Sequence, residues 1–145
     1  MIHLMHLLQC PEGASDGGYA VSDARAVDDR VGTLEDLRKL ARNMRRRNML
    51  LTMDVVVNHT SDEHEWAKQA REGDRTYQDY YYIFDNRDIP DMFEETMPEI
   101  FPETAPGNFT FDEAMGKWAM TVFNSYQWDL NYSNPAVFIE MLDIV

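Results

Sequence analysis

One apolar stretch in the first half of the chain constrains the fold more than any other feature. Residues 49–57 are apolar or β-branched, and only Thr52 and Asp54 interrupt the run. A run of this length predicts a strand that is buried on both faces, as in parallel sheets. The sequence then turns polar at Asn58 and His59. Active sites of α/β proteins lie at this end of their strands, so we expect a site here.

The residues before this strand predict a βαβ unit. Residues 2–9 are mostly apolar and predict another strand, and residues 11–22 have the glycine-rich composition of a loop. Thr33 followed by Asp36 is typical of a capping box and predicts the start of a helix. The predicted inner face of that helix holds Leu34, Leu37, Leu40, Ala41 and Met44. Strand, helix and strand make a unit whose crossover should be right-handed.

The second half of the chain is less regular. Thr60 and Glu63 have the spacing of a helix cap, and Trp66, Ala67 and Ala70 should face inward. Residues 73–128 are rich in aromatic residues and prolines, and we expect most of the aromatic side chains to form a small core. Asn134 and Pro135 predict the start of a last helix. Its predicted buried face consists of Val137, Phe138, Met141 and Leu142.

Charge and cysteine content exclude several classes of protein. The sequence has 13 basic and 26 acidic residues, a formal net charge of −13, which argues against a nucleic-acid partner. The single cysteine, Cys10, excludes an internal disulfide and suits a reducing compartment. No apolar run approaches the roughly 18 residues of a membrane span, and no leader is recognisable. We therefore expect a cytoplasmic protein without a membrane partner.

The motif Asp-Val-Val-Val-Asn-His at 54–59 resembles the first signature region of the α-amylase superfamily. Further motifs flank it at similar spacings, and together they resemble the amylosucrase branch and its relatives, the sucrose hydrolases. These are Cys-Pro-Glu-Gly at 10–13, the segments 15–21, 59–67 and 81–84, and Phe-Asn-Ser-Tyr-Gln-Trp-Asp-Leu-Asn-Tyr-Ser-Asn-Pro at 123–135. Two positions depart from this pattern: His6 stands where the family usually has proline, and Pro98 where amylosucrases have a basic residue near the acceptor channel.

The resemblance implies an α/β fold, a partial (β/α)8 TIM barrel with about its second and third strands. Residues 1–59 would form that barrel part, residues 60–130 a B-domain-like insertion, and residues 131–145 the start of the returning barrel helix. The unpaired barrel edges predict self-association.

The resemblance also implies a reaction, retaining transfer of an α-glucosyl unit. The donor would be sucrose, an α-glucan would grow on the acceptor side, and fructose would leave. The catalytic nucleophile and the acid/base would lie beyond residue 145, so no acidic residue of this chain is assigned to either role, and the chain alone should be inactive. Alternatives are a sucrose hydrolase or α-glucosidase of the same superfamily, and an inactive relative that only binds sugar.

Seven residues are carried over by the resemblance. Asp16 would close the floor of the sugar pocket, and Tyr19 would offer its ring to the apolar face of the glucosyl unit. His59 would hydrogen-bond a sugar hydroxyl, while Phe123 and Gln127 would line the pocket and its acceptor side.

The other two carried-over residues would lie beside the sugar. Asp54 would orient the site from behind, because a carboxylate in an apolar strand needs partners. Asn58 matches a position that ligates calcium in many α-amylases. A metal-binding module using His3, His6, His59 and His64 is another class, but these spacings match no compact zinc pattern.

Overall fold

The computed structural model describes residues 1–145 and contains short strands and helices without a closed sheet. A short 3-10 turn, Asp16–Gly18, lies between β2 and β3. In chain order the strands and helices are β1 (Ile2–Leu4), β2 (Leu8–Gln9), β3 (Asp23–Val27), α1 (Leu34–Arg45), β4 (Leu51–Met53), β5 (His59–Ser61), α2 (Glu65–Arg71), α3 (Arg75–Gln78), β6 (Ile83–Phe84), α4 (Asp88–Glu94), β7 (Phe109–Asp112), β8 (Lys117–Met120), β9 (Gln127–Asp129) and α5 (Pro135–Ile144).

The predicted parallel βαβ unit is confirmed. Strand β1 pairs in parallel with β4, with Ile2 opposite Leu51, and α1 connects the two. The capping box that starts α1 is also present: the Asp36 N–H donates to Thr33 Oγ1 at 3.2 Å, and the Thr33 N–H donates to Asp36 Oδ2 at 3.1 Å. Two parallel strands joined by a helix are one repeat of an α/β barrel.

Both predicted strands are shorter than expected. The run 49–57 is extended only at β4, and residues 2–9 divide into β1 and β2, because His6 has a left-handed backbone at φ 25°. Strand β2 then pairs antiparallel with β3 instead of continuing the parallel sheet. The predicted burial on both faces is wrong, because no residue of β4 is fully buried and Leu50, Val55 and Val57 beside it are exposed.

The main core lies in the second half of the chain. Strands β6, β8 and β7 form a small antiparallel sheet, and β5 pairs antiparallel with β9. The aromatic residues divide between core and surface: Tyr80, Tyr81 and Phe109 are buried, whereas Phe93 and Phe111 are exposed. The core cluster consists of Ala67, Ala70, Tyr80, Tyr81, Ala119, Trp128, Leu130, Val137 and Met141.

The predicted start of α2 is wrong, although its inner face is right. Thr60 lies in β5, because residues 59–61 pair with β9, and its hydroxyl is 2.7 Å from the Tyr81 hydroxyl. The cap is His64, whose Nδ1 accepts from the Trp66 N–H at 3.1 Å. Ala67 and Ala70 are fully buried.

Helix α5 begins as predicted, with the Asn134 side chain accepting from the Ala136 N–H at 3.0 Å and Pro135 in the first turn. Val137 and Met141 are buried. Phe138 and Leu142 are exposed, contrary to the prediction, because only one side of the helix packs on the core. No helix has both the length and the apolar character needed to cross a membrane.

Candidate active site

All seven predicted site residues come together where the barrel part meets the second half of the chain. They lie in the turn before β3, after β4, at the start of β5 and around the start of β9. The pairing of β5 with β9 sets His59 opposite Asp129 and carries Gln127 to the same place. The seven residues are Asp16, Tyr19, Asp54, Asn58, His59, Phe123 and Gln127.

A left-handed turn presents Asp16 to this site. The φ angles of Asp16, Gly17 and Gly18 are 49°, 63° and 104°. Glycine adopts such angles without steric penalty, and aspartate tolerates the left-handed region better than most residues. The consecutive glycines therefore allow the chain to place the Asp16 carboxylate near Gln127, whose Nε2 donates to Asp16 Oδ2 at 3.1 Å.

Gln127 is the buried centre of the cluster. Its side chain is fully buried, and its Oε1 accepts from Asn124 Nδ2 at 2.8 Å. Its Nε2 lies 3.0 Å from His59 Nε2 as well as near Asp16. A glutamine with both ends engaged is held in one orientation, so Gln127 fixes the distance between the carboxylate and the imidazole.

His59 is a buried, neutral imidazole that has hydrogen-bond contacts at both ring nitrogens. Its Nε2 is 3.1 Å from the Tyr19 carbonyl oxygen, and its Nδ1 is 3.4 Å from Asn58 Nδ2. The tautomer with hydrogen on Nε2 donates to the carbonyl and accepts from the Asn58 amide, but it also places a donor 3.0 Å from Gln127 Nε2, which is itself a donor. The other tautomer accepts from Gln127 at Nε2 and places two donors together at Nδ1, so neither tautomer satisfies all three contacts. Burial lowers the pKa of His59, and the bond to Tyr19 only partly opposes this. The Phe123 ring lies 5.0 Å from the imidazole and closes one side.

Asp54 has the partners that its place after an apolar strand requires. Its Oδ2 accepts from the Tyr19 hydroxyl at 2.9 Å, and its Oδ1 lies 2.6 Å from His3 Nε2. These bonds, that from His3 first and that from Tyr19 second, lower the pKa of Asp54. His3 was not predicted as its partner. Strand geometry offered a signal, because His3 pairs with Thr52, two residues before Asp54.

Asp129 is a second residue that the sequence analysis missed. Its side chain is buried, its Oδ1 accepts from Asn58 Nδ2 at 2.6 Å, and its Oδ2 accepts from the Val122 N–H at 2.7 Å. Burial raises the pKa of Asp129 to about 6, against the opposing effect of these two bonds. The signal was an acidic residue between Trp128 and Leu130, in a segment otherwise suited to the core.

Asn58 and Asp129 do not make a calcium site by themselves. Calcium takes six to eight oxygen ligands, and these two side chains already bond to each other. No three His, Cys, Asp or Glu side chains gather in an arrangement that could hold a metal ion, and the four histidines do not form one site.

We expect millimolar calcium to leave the melting temperature of the chain unchanged. A rise of several degrees in the melting temperature would support Asn58 as a calcium ligand.

Known proteins resemble this chain over most of its length. Trehalose synthase/amylase TreS from Mycolicibacterium smegmatis is 39% identical over 132 residues, which are 90% of this chain and 21% of that protein. Oligo-1,6-glucosidase from Parageobacillus thermoglucosidasius is 35% identical over 133 residues, 90% of this chain and 22% of the relative. Trehalulose synthase MutB from Pseudomonas mesoacidophila MX-45 superposes with a TM-score of 0.82 at 31% identity, over 98% of this chain and 24% of that one.

These similarities agree with the parallel β1–α1–β4 unit and extend through the second half of the chain. The chain spans about a fifth to a quarter of the length of these relatives. Residues 8–145 match the family described as "Alpha amylase, catalytic domain". The chain therefore belongs to the alpha-amylase family, and it contains part of the TIM barrel of the catalytic domain.

Proposed function

We propose that this chain forms part of the glucosyl-binding pocket of a retaining enzyme that acts on α-glucosides, with sucrose as the donor. The observation that carries the proposal is a network in which Asp16 and His59 contact the buried amide of Gln127, while His59 also contacts the backbone carbonyl of Tyr19. A carboxylate, an aromatic ring and a neutral imidazole are the groups that hold a hexose. The carboxylate accepts from hydroxyls, the ring packs on the apolar sugar face, and the imidazole hydrogen-bonds a hydroxyl in place of one of its present contacts.

In the proposed reaction these residues bind and orient the sugar. Retaining enzymes use two carboxylates about 5–5.5 Å apart, one as nucleophile and one as acid/base. We assign neither role to a residue of this chain. His59, Asp16 and Tyr19 would fix the glucosyl ring, while Asp54 would keep Tyr19 in place from behind. Correct placement of the reacting carbon is itself a large part of catalysis in such enzymes.

Transfer from sucrose in the manner of amylosucrase is the first specific reaction that we propose. The motifs at 10–13 and 123–135 support it. A mutant of the relative MutB, 33% identical to this chain, was crystallised with its substrate sucrose. Phe123 and Gln127 would line the side on which a glucan acceptor enters. Self-association through the exposed strand edges and a cytoplasmic location remain predictions.

Hydrolysis of α-glucosides is the second candidate. It is favoured by the similarity to oligo-1,6-glucosidase. The two candidates differ in their products from sucrose. Transfer to a glucan releases more fructose than free glucose, whereas hydrolysis releases equal amounts. The product of the encoding gene should be assayed for both sugars. Release of glucose from other α-glucosides, with none from sucrose, would favour the second candidate. If no sugar is released from any of these substrates, an inactive relative would be favoured.

Sugar binding by the chain itself tests the pocket. We expect His59→Ala to weaken glucose and sucrose binding about tenfold, because the variant loses a hydrogen-bonding imidazole and its contact with Phe123. NMR titration measures the affinity, and Glu35→Gln on the exposed face of α1 is the matched control. Equal affinities of the wild-type chain and a folded His59→Ala variant would contradict the proposed pocket.

A further inference from the structure

His6 has a backbone conformation that few residues with a side chain adopt. Its φ angle is 25°, and the strand broken at this residue resumes only at Leu8. Left-handed backbone at a residue other than glycine is strained, and such strain persists where the surroundings hold it in place. Proline, the residue that the resemblance leads us to expect here, has φ fixed near −65° and could not adopt this conformation.

The imidazole of His6 packs against the ring of Tyr19. The two ring centres are 5.0 Å apart with the planes at 67°, an edge-to-face contact. The space for the imidazole exists only because residue 18 is glycine. A Cβ on Gly18 would lie 2.5 Å from His6 Cδ2, closer than real contacts allow. Gly18 therefore leaves room for the His6 ring, and the Tyr19 ring packs against it.

The ring of His6 is not held by hydrogen bonds through its inner nitrogen. Nδ1 is buried and has no hydrogen-bond partner. Buried polar atoms without partners are rare and destabilising, so packing against Gly18 and Tyr19 must keep the ring where it is. His6 thus combines a strained backbone with an unpartnered nitrogen, and both lie beside the residue proposed to stack on the sugar.

We propose that His6 is a positioning residue for Tyr19, an inference that rests on the proposed sugar pocket. Asp54 holds the hydroxyl end of Tyr19 through a 2.9 Å hydrogen bond, and His6 holds the ring through the edge-to-face contact. Two contacts fix the plane of an aromatic ring, whereas a single hydrogen bond to its hydroxyl leaves the ring free to rotate. A ring that is already oriented loses less freedom when the sugar binds, and this increases affinity.

The test distinguishes the effect of the aromatic ring of His6 from the effect of its polar nitrogens. We expect His6→Ala to weaken glucose binding about fivefold and to loosen the Tyr19 ring, seen as lower order parameters for its ring carbons. His6→Phe restores an aromatic edge without the unpartnered nitrogen. It should keep the wild-type affinity and the wild-type order of Tyr19. If His6→Ala does not fold, His6→Leu replaces it, since leucine fills space without an aromatic edge.

The ring measurement needs no sugar, so it distinguishes this inference from the proposed function. Absence of glucose binding by the wild-type chain would remove the proposed pocket. Loss of Tyr19 order in His6→Ala would still support positioning by His6. Unchanged Tyr19 order and unchanged affinity in a folded His6→Ala variant would overturn the inference. A His6→Phe variant that behaves like His6→Ala would also overturn it, because the aromatic edge would then have no role.

Discussion

Replacing Arg71 with methionine should lower the free energy of unfolding by about 3 kcal/mol. Arg71 lies in α2, with its side chain about three-quarters buried. Its Nε donates to Asp112 Oδ2 at 2.8 Å, and its Nη2 donates to Asp62 Oδ2 at 2.8 Å. The guanidinium also lies 4.7 Å from the centre of the Trp128 ring. Methionine would leave two carboxylates facing each other without a cation, next to the core.

A surface arginine of the same chemistry serves as the control. Arg42 in α1 donates to Glu35 Oε1 at 2.7 Å, but both side chains are more than half exposed. Exposed pairs of this kind contribute about 0–1 kcal/mol, so Arg42→Met should change stability little. Urea unfolding followed by tryptophan fluorescence measures both variants. If Arg71→Met and Arg42→Met lower the free energy of unfolding by similar amounts, the contacts of Arg71 with β7 and the core do not stabilise the fold.

Local features of the fold were predictable because their signals lie within a few residues. Thr33 with Asp36 and Asn134 with Pro135 gave the starts of α1 and α5, and both caps depend only on neighbouring backbone. The cap of α2 was not predictable in this way. Thr60 had suitable spacing, but the long-range pairing of β5 with β9 uses it as a strand residue. Pairing between distant segments thus overrode a local signal.

The difference between local and long-range signals also explains which contacts of the candidate site were predictable. The resemblance supplied residues such as Asp16, Tyr19 and His59, but not how they contact each other. His3 and Asp129 were missed because their roles depend on registers, His3 opposite Thr52 and His59 opposite Asp129. The register between two strands that are distant in the chain is not predictable from a single sequence. The exposure of Phe138 and Leu142 in α5 was equally unpredictable, because helical periodicity marks an apolar face without saying what covers it.

The stability of the chain should fall between pH 4 and pH 7 because of Asp129. Burial raises the pKa of this carboxyl from an ordinary value of 3.8 to about 6, so the folded chain binds the proton more tightly than the unfolded chain. Its contribution to stability is full below the unfolded pKa and disappears as pH rises through the folded one. A difference of about two pKa units corresponds to about 3 kcal/mol.

Asp129→Asn isolates this effect from the other acidic residues. Asparagine has nearly the same shape but does not titrate, and its amide nitrogen replaces one accepting oxygen at a cost that does not depend on pH. The stability of the variant relative to the wild-type chain should therefore rise by about 2–3 kcal/mol from pH 4 to pH 7. Urea unfolding of both proteins across this range measures the difference, and the other carboxylates cancel because both proteins share them. NMR titration of the Asp129 carboxyl carbon in the wild-type chain should give a midpoint near 6. A constant difference in stability, with a midpoint near 4, would mean that water or Asn58 solvates this carboxylate despite its burial.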